Sequence, residues 1–230
     1  CKICKDQKNK SEDISFTITD SNSETYQSKT VLVVPGSSRR KIKAQGADEL
    51  EHKGLTYCAS CDGPLFSGMD VVVIGGGNAG FESAAQLLAY CKSVTLLHRG
   101  DEYKADPITV EKVLAHPNMT GILNAETIKV HGENFVDGLT YQDLVSKEEI
   151  HLEVKGIFVE IGQIPNSHIV ADVVELNDYK QVIADPYTQQ TSTKGIWSAG
   201  DVTDVRYHQN NISAGDAVKA LEDIYKYLHA

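Results

Sequence analysis

The residues best suited to do chemistry in this chain are two cysteines separated by two residues, in Tyr57-Cys58-Ala59-Ser60-Cys61-Asp62-Gly63-Pro64. Cys58 and Cys61 can close a small disulfide ring, and a second cysteine that opens a helical turn gains stabilisation of its thiolate from unpaired backbone donors. Asp62, directly after the pair, is placed to take and return a proton as thiols form and leave, once its surroundings bring it towards the working pH. The competing chemistry is half of a zinc site, which needs two further ligands that only Cys1 and Cys4 supply. Cys1-Lys2-Ile3-Cys4 stands at the terminus with no acid or proline beside it and is read as incidental. Cys91, between an alanine- and leucine-rich helix and a strand, reads as a small packing residue. The eight histidines show no metal-ligand spacing, and His98 and His208 stand out only by position.

A second constellation is Gly75-Gly76-Gly77-Asn78-Ala79-Gly80, which fits G-x-G-x-x-G with Glu82 just beyond it. Alone that pattern is weak. Here it directly follows the aliphatic run Val71-Val72-Val73-Ile74 and opens a stretch of helix formers, which is the context a dinucleotide site requires. Gly75 permits the tight turn, Gly77 lets the backbone approach a pyrophosphate, and Gly80 lets helix and strand pack. The amides around Asn78 and Ala79 then face the phosphates at the helix start. About 20 residues on, an acid would hydrogen-bond the ribose of NAD. No acid sits there: the strand Val94-Thr95-Leu96-Leu97 ends in His98-Arg99, with Lys104 shortly after. Cations at that place suit the 2'-phosphate of NADPH. Asp101 and Glu102 lie nearby, so NADH is the alternative.

Positioning these groups takes a βαβ unit beginning at Val71, a helix over residues 81–90, a strand at 93–97 and a helix from Pro107 to His116. Leu123 to Val130, Leu139 to Tyr141 and Ile150 to Val154 predict an antiparallel excursion, and Gly156 to Gly162 another apolar strand. Before this block, Ile14, Phe16 and Ile18 alternate with Ser15, Thr17 and Thr19 as a half-buried strand. Thr30 to Val34 is a short run stopped by Pro35-Gly36, so the opening reads as a meander. After the block, a strand at Gly195 to Ala199 precedes an amphipathic helix, Ser213 to Leu228, whose inner face is predicted to hold Ala217, Leu221, Ile224 and Leu228.

The chain has 230 residues, 41% of them hydrophobic and 23% charged. That length can bury a sizeable core, and no apolar run approaches the roughly 20 residues that span a bilayer. The net charge of -10 repels a phosphate backbone, so nucleic acid is not expected as a partner. Five cysteines, unevenly placed, do not make a secreted disulfide scaffold, and a reducing, cytoplasmic setting is expected. The start at Cys1, with neither methionine nor a signal pattern, leads us to expect a fragment.

Taken in order, Cys58 to Pro64, Gly75 to Gly80 with Glu82, His98-Arg99, Ile161-Gly162-Gln163-Ile164-Pro165-Asn166 and Gly195-Ile196-Trp197-Ser198-Ala199-Gly200-Asp201-Val202-Thr203 resemble the thioredoxin reductases and the related alkyl hydroperoxide reductase flavoproteins. The match runs from about Phe16 to the C-terminus. The resemblance implies an α/β fold, with a Rossmann-like three-layer NAD(P)-binding domain (40–160) inserted in an incomplete FAD-binding domain (1–39 and 161–230). It implies FAD as cofactor, with Gly200 and Asp201 closing around the flavin and His208-Gln209 near its ring, and Gly36, Gly162 and Val202 as further cofactor-binding residues. Electrons would pass from NADPH, or NADH, through FAD to Cys58–Cys61, and from there to the disulfide of a thioredoxin-like or peroxiredoxin-type protein. A homodimer is common in the family. The nucleotide domain would rotate on hinges near Ser37 to Lys41 and Glu160 to Gly162. The chain departs from the pattern where Val34-Pro35-Gly36 replaces A-T-G and Gly100 replaces a second arginine, with Lys104 where a further arginine is common. The family's first flavin-binding G-x-G-x-x-G is not among these residues. The alternatives are an NADH-dependent peroxiredoxin reductase and a non-catalytic NADP-binding remnant.

Overall fold

The computed structural model describes residues 2–5 and 16–230; for residues 2, 4 and 5 it describes only the backbone. Ile14 and Ser15 of the opening strand, and Cys1, lie outside the described residues. The strands are β1 (Lys2–Lys5), β2 (Phe16–Thr19), β3 (Thr25–Ser28), β4 (Val31–Val33), β5 (Ser37–Arg39), β6 (Leu55–Thr56), β7 (Asp70–Ile74), β8 (Ser93–Leu97), β9 (Met119–Ile122), β10 (Ala125–Gly132), β11 (Val136–Asp143), β12 (Glu149–Leu152), β13 (Gly156–Val159), β14 (Gln163–Pro165) and β15 (Ile196–Ser198). The helices are α1 (Ala59–Asp62), α2 (Asn78–Leu87), α3 (Pro107–Leu114) and α4 (Asn210–His229). Contacts divide the chain into two units, one of Cys1–Ser38 with Gln163–Ala230 and the other of Arg39–Gly162.

The continuous unit is built on a five-stranded parallel sheet in the order β6-β13-β7-β8-β9. Strand side chains alternate between faces, and here both faces are covered, which is why β7 is aliphatic throughout rather than alternating. Val71 and Val73 join Val94, Leu96 and Phe158 beneath Phe81, Ala84 and Leu87 of α2 and Val113 of α3. Val72 and Ile74 join Leu97, Ile157 and Val159 on the other side, against Val130, Val136, Leu139 and Tyr141 of the antiparallel β10-β11-β12 sheet. Helices, parallel sheet and antiparallel sheet thus form three layers, and each fully buried aliphatic or aromatic side chain contributes about 1.5–3 kcal/mol. The sheet ladder places the C-terminal ends of β7 and β13 side by side, with Ile74 opposite Val159, and ligands of open parallel sheets bind at such ends.

In the discontinuous unit, β1, β2 and β3 form an antiparallel sheet, β4 pairs in parallel with β15, and β5 pairs with β14. Its core gathers Phe16, Val33, Val182, Ile196 and Val202. The inner face of α4 differs from the sequence expectation. Leu221 and Leu228 are 59% and 46% exposed, whereas Asp216 and Ala220 are buried, and Asp223 accepts the Trp197 indole N–H at 3.0 Å. Paired polar groups turn inward, so hydropathy marks the wrong stripe. Among the described residues no helix is long and apolar enough to cross a membrane.

Candidate active site

Strand β6 leads directly into the cysteine pair. Cys58 is in extended backbone (φ -140°, ψ 101°) and caps α1: its sulfur accepts the Cys61 N–H at 3.2 Å. The sulfur that receives the helix-start donor is therefore that of Cys58, not that of Cys61 as the sequence suggested, because the helical turn opens one residue after the first cysteine. The two sulfurs are bonded to each other, with Cα atoms 5.3 Å apart. Cys58 is half-buried and Cys61 is exposed. Asp62 closes the turn, its N–H donating to the Cys58 carbonyl at 3.1 Å, and its carboxylate Oδ2 accepts the hydroxyl of Thr56. The following turn, Gly63–Phe66, is pinned by Phe66, which meets Phe158 edge-on at 5.3 Å.

Two polar links tie this segment to its surroundings. Ser60, between the cysteines, donates to Gln86 Oε1 on α2 at 2.7 Å. Tyr57 donates to Glu51 at 3.1 Å, and Lys41 pairs with the same carboxylate. Burial, then the Glu51 bond, pushes the Tyr57 phenol up to about 12, so it stays a donor. Cys91 is buried in the α2 cluster, and burial pushes its thiol up to about 11, which leaves it without thiolate reactivity.

The glycine loop joins β7 to α2. Gly75 has φ +130°, and a Cβ there would overlap the Glu160 carbonyl; one at Gly80 would overlap the Gly75 carbonyl. Gly77 is different, because a Cβ there would meet nothing within 4 Å. The first helical bond runs from Phe81 N–H to Gly77 O at 3.1 Å, so the amides of Gly77, Asn78, Ala79 and Gly80 have no acceptor within the helix. An open glycine face beside unpaired amides fits a dinucleotide phosphate.

The chain after β8 is stitched to this loop. Gly76 N–H donates to His98 Nδ1 at 3.1 Å, Lys104 N–H to Gly76 O at 2.8 Å, and Asp106 N–H to Asn78 Oδ1 at 2.8 Å. His98 was expected to offer positive charge. Its ring instead lies on Gly76 as a hydrogen-bond acceptor, and burial, together with Lys104 and Arg99 nearby, holds its protonation below the usual range. The cations left for a phosphate are Arg99, 76% exposed and 3.9 Å from Glu126, and the exposed Lys104. At the end of β13, Glu160 accepts the Ser83 hydroxyl at 2.7 Å, and burial raises its carboxyl above the usual range. Neither Glu160 nor Thr56 carries a local sequence signal, since their partners lie on other elements.

The remaining residues that the resemblance assigned to cofactor binding lie mostly in the other unit. Gly200 (φ +78°) abuts Ser213, whose hydroxyl donates to Asp201 at 3.3 Å. His208 Nδ1 is 3.5 Å from the same carboxylate and is buried without a hydrogen-bond partner, an orphaned polar atom that fits a group with polar edges. Gly36 (φ +65°) has open space beyond its Cα. Val202 is buried in the core, so only its backbone is available, and Gln209 caps α4 without a side-chain bond. Gly162 (φ +93°) accepts the Arg40 N–H at 3.0 Å within the continuous unit.

Known proteins share both the sequence and the fold of these elements. The profile of the family described as pyridine nucleotide-disulphide oxidoreductase matches residues 2–217. The chain is 39% identical over 213 residues to an NADH dehydrogenase of Bacillus subtilis (strain 168), covering 93% of this chain and 42% of that protein. It is also 39% identical over 216 residues to the alkyl hydroperoxide reductase F protein of Staphylococcus aureus (strain MRSA252), covering 94% and 42%. Among solved structures, thioredoxin reductase from Streptococcus pyogenes MGAS5005 superposes with a TM-score of 0.80 at 26% identity over 99% of this chain and 72% of that one. The enzyme of T. acidophilum gives 0.73 at 33% identity over 94% and 70%. The chain thus spans 42% of the length of these curated relatives. A profile matched from the first strand into α4, over an α/β fold shared with thioredoxin reductases, means that this chain belongs to the pyridine nucleotide-disulphide oxidoreductase family of enzymes.

Proposed function

We propose that this chain carries the nucleotide-binding and disulfide-exchange machinery of an NADPH-dependent reductase that acts on the disulfide of a thioredoxin-like protein. The observation that carries the reading is the Cys58–Cys61 disulfide on a turn bonded through Ser60 to α2, the helix whose first amides form the glycine cradle. A flavin, when bound, supplies the two-electron relay between nicotinamide and disulfide. The chain's own residues do the rest. Gly77 to Gly80 hold the pyrophosphate, Arg99 and Lys104 meet the 2'-phosphate, Asp62 carries the proton, and Gly36, Gly200, Asp201 and His208 offer backbone and polar contacts to the flavin. The same reading includes a cytoplasmic setting and a homodimer.

A second reading is NADH-dependent reduction of a peroxiredoxin. Its support is the similarity to the alkyl hydroperoxide reductase F protein and to an NADH dehydrogenase, together with a His98 that is held neutral. Titrating the purified chain with each nucleotide separates the two. NADPH is expected to bind about tenfold tighter, and Arg99→Ala to remove that preference; tighter NADH would select the second reading. A flavin absorbance band in the purified chain, with Cys58→Ser abolishing disulfide reduction and sparing nucleotide-to-flavin transfer, is the expected outcome. A colourless protein that binds nucleotide and reduces nothing would leave a non-catalytic remnant instead.

A further inference from the structure

Asp62 needs a fixed position if it is to move protons to and from sulfur, and a four-residue helix does not supply one by itself. Thr56 does. It lies in β6, opposite Phe158 of β13 in the parallel ladder, and is only 7% exposed. Its hydroxyl sits one bond from a Cβ that the paired strand holds in place. That hydroxyl bonds Asp62 Oδ2 across the cysteine turn and leaves Oδ1 for proton transfer.

We infer that Thr56 is a positioning residue for disulfide exchange, holding the Asp62 carboxyl against the Cys58–Cys61 turn in both of its protonation states. The hydroxyl donates to Oδ2 whether Oδ1 is bare or carries the transferred proton, and more strongly to the charged carboxylate, so one bond serves both halves of the cycle. The inference rests on the disulfide-reductase reading above. In that cycle the reduced pair gives two electrons and two protons to a substrate disulfide. The substrate S–S bond breaks, the Cys58–Cys61 bond forms, and both substrate sulfurs leave as thiols. One proton is released to solvent as the attacking thiolate forms and an equivalent one is regained from solvent by the first substrate sulfur to leave; Asp62 takes the other from the closing cysteine and hands it to the second departing sulfur.

The test is the pH dependence of the reaction between the chain, reduced with dithiothreitol and desalted, and oxidised glutathione. Thr56→Val keeps the shape and removes the donor to the carboxylate. It should slow exchange several-fold and move the acid limb of the profile to higher pH, because the lost donor favoured the carboxylate over the acid. Thr56→Ser, which keeps the hydroxyl, should retain the wild-type profile and keeps the test alive if the valine variant does not fold. The decisive comparison is made on Asp62→Asn, where adding Thr56→Val should change nothing further. Equal slowing by Thr56→Val with and without Asp62, or a serine variant with a shifted profile, overturns the inference. Asp62→Asn that exchanges at the wild-type rate would instead overturn the proton role of Asp62, a different and distinguishable failure.

Discussion

His98 was expected to offer charge, and its surroundings instead hold it neutral. Its position after β8 is where a nucleotide's ribose is recognised, but the Gly76 N–H aimed at Nδ1 requires that nitrogen to be unprotonated. Burial then lowers the imidazole below its ordinary 6.5. The sign of the consequence is fixed: above 6.5 folded and unfolded chains are both neutral here and nothing is lost. As pH falls below 6.5 the unfolded chain gains a proton that the folded one resists, and stability drops through the folded value. The thermal midpoint of the wild type should therefore fall more steeply between pH 7 and 5 than that of His98→Asn, which keeps an acceptor and loses the titration; parallel curves would refute this. His131 is also held low, but it is common to both proteins and cancels. Glu160 has the opposite sign. Its carboxyl is raised above 4.5 by burial, so it costs stability as pH rises through the folded value. Glu160→Gln should melt higher than wild type at pH 7, with the gap closing below pH 4.5, and a gap independent of pH would show that ionisation is not its source.

At the scale of elements, the glycine loop separates two uses of one residue type. Gly80 is glycine because a Cβ would strike backbone; Gly80→Ala should cost about 1–3 kcal/mol or more, seen as a lower denaturation midpoint without ligand. Gly77 has free space and extended backbone at φ -95°, ψ -176°. Gly77→Ala should keep its midpoint within a few degrees while nucleotide affinity falls about tenfold or more. If both properties changed equally, the open face would have no role in binding. The sequence made this loop legible because strand, turn and helix are contiguous and each has its own period. It made the disulfide pair legible for the same reason. What it hid depends on long-range register: β6, the strand that carries Thr56, pairs with β13 from the far end of the unit, and Ser60 finds Gln86 only once α1 lies on α2. The α4 stripe was misread because Asp216 and Asp223 turn inward with partners, Lys219 at 3.0 Å and the Trp197 indole. Hydropathy counts an inward-turned acid with a partner as a surface residue.

At the scale of the molecule, the chain order assigns the two halves of the chemistry to different units. Arg39–Gly162 is continuous and holds the disulfide, Asp62, the glycine loop, Arg99 and Lys104, whereas Gly36, Gly200, Asp201 and His208 lie in a unit assembled from two separated stretches. The continuous unit has its own core on both sheet faces and needs no residue from outside to complete its five-stranded sheet. A polypeptide of residues 39–162 should therefore unfold cooperatively, form the Cys58–Cys61 disulfide in air and bind NADPH with the affinity of the full chain. It should not oxidise NADPH when oxidised thioredoxin is supplied, with or without added FAD, because the groups offered to the flavin are missing from it. Circular dichroism melting, thiol titration and nucleotide fluorescence check the first three outcomes, and absorbance at the nicotinamide band checks the fourth. A non-cooperative melt would mean that the unit borrows stability from its flanks. NADPH consumption by residues 39–162 alone would mean that hydride reaches the disulfide without the second unit, and the division of roles proposed for the two units would be wrong.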